Sequence, residues 1–239
     1  MINFKTWLKY KEVYEKRAND DFEEKCDKSR YSRIPFYFRY CLPNMKNVLV
    51  LDIGAADGIV VERFKENGIG CDIAFKYCRK MKSKGIQSVC CTAEYLPFRK
   101  GAFGLIISSA ILEHVIDLRK SVNEIIRLTR EGGLVLVNVP YLEDLTQYLY
   151  CKYEFSHVRS FDETFLMKLF SDLDVVQVYY HDFSLIVMNI QSLLLNRIFG
   201  ILYASTPKTL RYILLKTKWT SWTKPFSITI IFRKRKDSI

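Results

Sequence analysis

The stretch Leu51-Asp52-Ile53-Gly54-Ala55-Ala56-Asp57-Gly58, behind the apolar run Val48-Leu49-Val50, holds the residue types best spaced for ligand chemistry. It reads as a buried strand, a glycine-punctuated turn and a helix from about Asp57. Gly54 tolerates backbone angles closed to other residues and leaves no Cβ between main chain and ligand, while Gly58 allows helix and strand to pack closely. Such turns cradle nucleotides. The two-glycine dinucleotide pattern fails, because Ala56 stands at its second glycine, and the Asp52 carboxylate suits a cation better than a pyrophosphate. Asp72 ends a short strand bracketed by Gly68 and Gly70. A carboxylate there accepts hydrogen bonds from ribose hydroxyls, with a plain surface Asp as the alternative. Thr92-Ala93-Glu94-Tyr95-Leu96-Pro97-Phe98 follows a third strand, and His114, His157 and His181 are the histidines available for proton transfer.

These segments together resemble the class I S-adenosylmethionine (SAM) dependent methyltransferases of the type 11 kind. The family's first motif has an acid, any residue, then three glycines at alternate positions; this chain keeps Asp52, Gly54 and Gly58 and has Ala56 in the middle. Thr92 to Phe98 resembles the segment Gly-Asp-Ala-Glu-X-Leu-Pro-Phe, with Thr92 at the Asp that bonds the adenine amino group. A hydroxyl accepts there too, more weakly. Gly104 replaces another family Asp, and Leu112-Glu113-His114-Val115 is similar to ubiquinone-type O-methyltransferases.

The resemblance implies SAM as cofactor. Asp52, Gly54, Ala55, Ala56, Asp57 and Gly58 would frame its methionine moiety. Asp72 and Ile73 would take the ribose, Thr92, Ala93 and Glu94 the adenine, and Ser108 and Ser109 the sulfonium side. His114 and His157 are the candidate bases, with Glu113 orienting the His114 ring; a packing role for His114 stands beside this, and His181 is read as structural. No metal site is expected. Methyl transfer from a sulfonium is a displacement, so alignment matters most, and an oxygen nucleophile gains from a base. The Asn-Pro-Pro-Tyr motif of base N-methyltransferases is absent from the fourth strand, which argues against nucleobase amino groups as acceptor.

Positioning these residues takes alternating strands and helices. Strands are expected at 47–53, to Asp72, at 86–91, 103–109, 134–139, 174–182 and 226–233, with helices at about 57–67 and 117–130 and a turn at Glu131-Gly132-Gly133. This is an α/β fold, a Rossmann-like mostly parallel seven-stranded sheet with helices on both faces and an antiparallel last strand. Residues 1–45, with helical runs around 4–26 and 30–41, form an N-terminal helical cap. The domain at 46–239 carries a helical insertion at 184–225.

Of the 239 residues, 49% are hydrophobic and 26% charged, as in globular chains, which excludes disorder and coiled coil. Lysines interrupt Met1 to Lys9 where a signal peptide needs an unbroken apolar run, and the seven cysteines show no zinc-knuckle gap, so reduced thiols in the cytoplasm are expected. Charge is localised: residues 183–236 hold ten Lys or Arg and no acid, against +11 for the whole chain. Within them, 185–204 is an apolar helix with a thin polar stripe, followed by Lys208, Arg211, Lys216, Lys218 and Lys224 with Trp219 and Trp222. Three readings stand side by side: a lid or homodimer interface, a peripheral contact with an anionic membrane through 185–224, and RNA binding. The expected activity is methyl transfer to an oxygen or carbon of a small apolar or lipid-linked acceptor. A non-catalytic methyltransferase-like binder and an RNA methyltransferase are the alternatives, nucleic acid being the weaker partner.

Overall fold

The computed structural model describes residues 8, 11–16, 47–141, 159, 161–182 and 225–236. Seven strands build one sheet: β1 (Val50–Ile53), β2 (Gly68–Asp72), β3 (Gln87–Cys90), β4 (Phe103–Ser109), β5 (Thr129–Pro140), β6 (Leu173–Asp182) and β7 (Pro225–Lys234). Their order is β3-β2-β1-β4-β5-β7-β6. β7 pairs antiparallel with β5 and β6, and the remaining pairs are parallel. Because both faces of the central strands are covered, β1 is buried at every position and β4 at all but its last, which is why their sequences read as unbroken apolar runs.

Three α-helices run between the strands of the described residues: α1 (Phe75–Ser83), α2 (Leu118–Leu128) and α3 (Glu163–Leu169). The buried residues Val122, Ile125 and Leu128 recur at helical spacing in α2 and pack with Leu166 and Phe170 on Leu51, Ile106, Val137 and Ile230 of the sheet. Each such side chain contributes about 1.5–3 kcal/mol when fully buried. On the other face Val50, Leu105, Ile107, Leu136 and Ile231 form a second cluster, with Phe64 against it. Asp117 and Asp162 cap α2 and α3 by accepting from Lys120 N and Phe165 N. α1 has no side-chain cap of its own.

Two expectations need correction. The helix expected from Asp57 is instead a 3-10 helix over Val61–Asn67, because Gly58 sits at φ +82° and keeps the chain in turns until then. Glu131-Gly132-Gly133 does not precede β5 but lies within it. Phe103 pairs with Thr129 and Leu105 with Leu134, and Gly132 at φ +70° helps absorb the excess as an irregularity. Of the N-terminal cap, residues 8 and 11–16 are helical. The remainder of that cap, His157 and the insertion between β6 and β7 lie outside the described residues.

β1 leads away to β2 on one side and borders β4 on the other. The crevice at their carboxyl ends is the topological switch point where open α/β sheets bind ligands.

Candidate functional site

The turn after β1 is tied to β2 through the main chain. Gly54 N and Ala55 N both donate to the Cys71 carbonyl, at 2.8 and 2.9 Å. Ala56 N donates to Asp72 Oδ2 at 3.0 Å, and Ala74 N to Asp72 Oδ1 at 2.9 Å. Each oxygen of this buried carboxylate thus accepts a main-chain amide, which fixes its orientation. Ala56 achieves its bond at φ +48°, a left-handed conformation costing about 1–2 kcal/mol outside glycine. A Cβ on Gly54 would lie 1.8 Å from Ile111 Cδ1, so the face left bare there is covered by the chain that follows β4.

A cleft opens beside this turn, its empty space about 550 Å³ with the adjoining solvent included. Of the residues singled out from the sequence, it brings together Gly54, Asp72, Ile73, Thr92, Ala93, Glu94 and His114, and adds Tyr14, Ile53, Cys71, Cys91, Ile111, Val115 and Ile116. Outside its lining are Asp52, Ala55, Ala56, Asp57, Gly58, Ser108, Ser109 and Glu113. Asp57 bonds Lys84 Nζ through its carboxylate at 3.3 Å, and a Cβ on Gly58 would meet Met81 and Ile86 at 2.8 Å, so both serve packing against α1 and the chain after it. Ser108 is fully buried in β4. His181 belongs to β6, paired with Ser227 of β7.

The chemistry of the lining suits an adenosyl group. Ile53, Ile73, Ala93 and Val115 supply apolar walls for a purine, and Asp72 presents a fixed carboxylate to a diol. Thr92 Oγ1 is buried without a hydrogen-bond partner among the described residues, so it is available to an amino group. Glu94 is committed elsewhere: its Oε1 accepts from Ile116 N at 2.9 Å and Asp117 N at 3.3 Å.

His114 lies on the far wall. Its Nε2 is 3.9 Å from Oε1 of the fully buried Glu113, and its ring meets Tyr14 edge-on at 6.0 Å. Tyr14 comes from helical residues 11–16, which also send Glu15 Oε1 to Phe75 N at 2.7 Å and so cap α1 from another part of the chain. No spacing in the sequence signals this approach. The neighbouring thiols stay protonated: Cys71 is pushed well above the usual range, first by its hydrogen bond with Cys91, and burial lifts Cys78 to about 12. They are poor nucleophiles.

Sheet order, a glycine turn at the switch point and a buried carboxylate at the end of β2 make an α/β domain suited to a nucleoside cofactor. The comparisons make the class specific. Residues 51–137 match the model of a methyltransferase domain. A tRNA (carboxymethyluridine(34)-5-O)-methyltransferase of Xenopus tropicalis is 29% identical over 134 residues, 54% of this chain and 21% of that protein. A demethylmenaquinone methyltransferase of Corynebacterium urealyticum is 28% identical over 91 residues, 37% of this chain and 40% of that protein. The chain thus spans well under two thirds of either relative's length. Among solved structures, a Burkholderia thailandensis 1,6-didemethyltoxoflavin-N1-methyltransferase holding S-adenosylhomocysteine superposes with a TM-score of 0.63 at 14% identity, over 99% of this chain and 92% of that one, a likeness of fold. Over residues 51–137 the chain is thus similar to the methyltransferase domain, and its fold is like that of a solved SAM-dependent methyltransferase.

Proposed function

We propose that this protein transfers the methyl group of SAM to an oxygen or carbon of a small, apolar or lipid-linked acceptor. The observation that carries the cofactor reading is the pairing of Asp72, held by two amides, with the unpartnered Thr92 hydroxyl in one apolar cleft. Asp72 would take the ribose, Thr92 and Ala93 the adenine edge, and Gly54 the side toward the methionine moiety. SAM supplies an electrophilic methyl. His114 then accepts the proton released by an acceptor hydroxyl, and the adjacent Glu113 carboxylate favours the imidazolium so formed. The demethylmenaquinone methyltransferase relative supports a small acceptor.

A second reading, RNA as acceptor, draws on the tRNA methyltransferase relative and on the basic stretch 183–236. Radiolabelled methyl from SAM, followed in total cell extract, separates the two. Label in the organic phase supports the first reading, and label in the nuclease-sensitive fraction the second. S-adenosylhomocysteine binding without transfer to either leaves a non-catalytic binder.

For the segment 184–225 the proposed role is a lid, a homodimer interface or a peripheral contact with an anionic membrane on the cytoplasmic side. Flotation with anionic vesicles, an RNA gel shift and sedimentation separate these roles. Among the described residues no helix is long and apolar enough to cross a membrane.

A further inference from the structure

The wall of the cleft opposite Asp72 is the irregular chain between β4 and α2, which supplies Ile111, His114, Val115 and Ile116 to the lining. Irregular backbone of this kind must find partners for its polar groups outside a ladder. Here they come from two charged side chains far apart in sequence. The half-buried Arg159 donates through Nη1 to the carbonyls of Leu112, at 3.1 Å, and Val115, and through Nη2 to that of Ile116 at 3.3 Å. On the other side Glu94 Oε1 accepts from Ile116 N and Asp117 N.

Taken by peptide groups, the pattern is closed. The unit joining Val115 to Ile116 gives its oxygen to Arg159 and its N–H to Glu94. The next unit, Ile116 to Asp117, does the same. Two successive peptide planes therefore sit between a cation and an anion, and each charge polarises the bond made to the other. Another pair of charges holds main chain nearby, though on separate peptide units: Leu96 N donates to Glu124 Oε2 at 2.9 Å while Arg127 donates to the carbonyls of Leu96 and Phe98 at 3.0 and 2.8 Å.

We infer that Arg159 is a positioning residue for the cofactor cleft, acting with Glu94 through the main chain of Val115 to Asp117 to set the wall that carries His114. Arg159 immediately precedes the segment that leads into α3, whereas Glu94 belongs to the wall beyond β3. The clamp therefore ties the chain after β5 to the cofactor side of the cleft. Lysine is a poor substitute, since a single ammonium head lacks the planar fork that reaches three carbonyls.

The inference rests on the SAM reading of the cleft, and its test keeps the two apart. Arg159→Ala, Arg159→Lys and Glu94→Gln are compared with the unaltered chain by amide hydrogen exchange of the free protein and by calorimetry with S-adenosylhomocysteine. In Arg159→Ala the amides of Ile116 and Asp117 should exchange about tenfold faster or more, with those of β1 and β4 unchanged. Its affinity should fall about tenfold, and Arg159→Lys should recover part of both effects. Adding Glu94→Gln to Arg159→Ala should raise exchange little further, because the two act on the same peptide groups. Unchanged exchange at 115–117 in Arg159→Ala overturns the clamp. Faster exchange there with undiminished affinity overturns its role in positioning the cleft. If Arg159→Ala does not fold, exchange and affinity in Arg159→Lys decide, both staying at the unaltered values if the inference is wrong. Failure of the unaltered chain to bind S-adenosylhomocysteine would strike the SAM reading, while exchange would still test the clamp.

Discussion

The turn after β1 and the turn after β4 face each other across the cleft and are held by opposite means. The first is bound by its neighbour in the sheet: three of its amides end on Cys71 O and the Asp72 carboxylate of β2. The second, 112–117, is bound by Glu94 and Arg159, which reach it from other segments. Both walls open with an alanine in left-handed backbone, Ala56 at φ +48° and Ala110 at φ +57°. The comparison teaches that the first turn is held mostly by main-chain bonds to the adjoining strand, with one carboxylate, whereas the opposite wall depends on side-chain charge and can be loosened one side chain at a time.

The harshest way to break the first turn is Gly54→Ala. The new Cβ would collide with Ile111 at a φ of +70°, and left-handed strain of about 1–2 kcal/mol plus overpacking of about 1–3 kcal/mol should lower the melting temperature markedly. A melting temperature within a degree of the original would show that Ile111 yields freely and that the turn is not stiff.

Asp72→Asn comes next. One amide-accepting oxygen is retained, but the charge facing the diol is lost, and S-adenosylhomocysteine affinity should fall roughly tenfold to a hundredfold. Equal affinity measured by calorimetry would remove the ribose assignment.

The charge-held segment Leu96 to Phe98 should respond to acid. The Glu124 carboxyl lies below its ordinary value chiefly because Arg127 donates to it. A folded pKa below the unfolded one gives stability that is complete above the unfolded value, about 4.3, and is lost as pH falls through the folded value. Thermal melts between pH 6 and pH 3 should therefore show a decline that Glu124→Gln reduces. The difference should not exceed about 1 kcal/mol for a partly solvated pair of this kind. Identical pH profiles would mean that the clamp on Leu96 and Phe98 carries no net stability.

The smallest effect is expected from Ala56→Gly and Ala110→Gly. Relief of left-handed strain is offset by the greater freedom of glycine in the unfolded chain, leaving a gain of at most about 1 kcal/mol in denaturant melts. A loss in either variant would mean that its methyl group packs more than its backbone strains.

Much of the fold was legible because strands buried on both faces must be apolar throughout. Phe103 to Ser109 was expected as a strand and is one, and β6 and β7 came within a residue of their limits. The helix after Gly58 starts later than its sequence suggests, at Val61, since whether a glycine ends a turn or prolongs it depends on what packs against it, here Met81 and Ile86. Gly54, Asp72 and Thr92 could be marked from spacing along successive βα units. Tyr14 and Arg159 could not: their roles rest on partners about 100 and 43 to 47 residues away, and nothing local distinguishes them from other aromatic and basic residues.

By itself the sequence determined the strand alternation, the glycine turn and the carboxylate at the end of β2, because these follow from periodicity and local backbone requirements. Which of the marked residues share one cleft was decided by the tertiary structure alone. Side-chain direction at a strand end depends on register and on the neighbouring strand, so Gly54 and Asp72 line the cleft while Ser108, equally near a strand end, is buried. The same holds for the opposite wall, whose peptide groups are satisfied by charges that only folding brings to them.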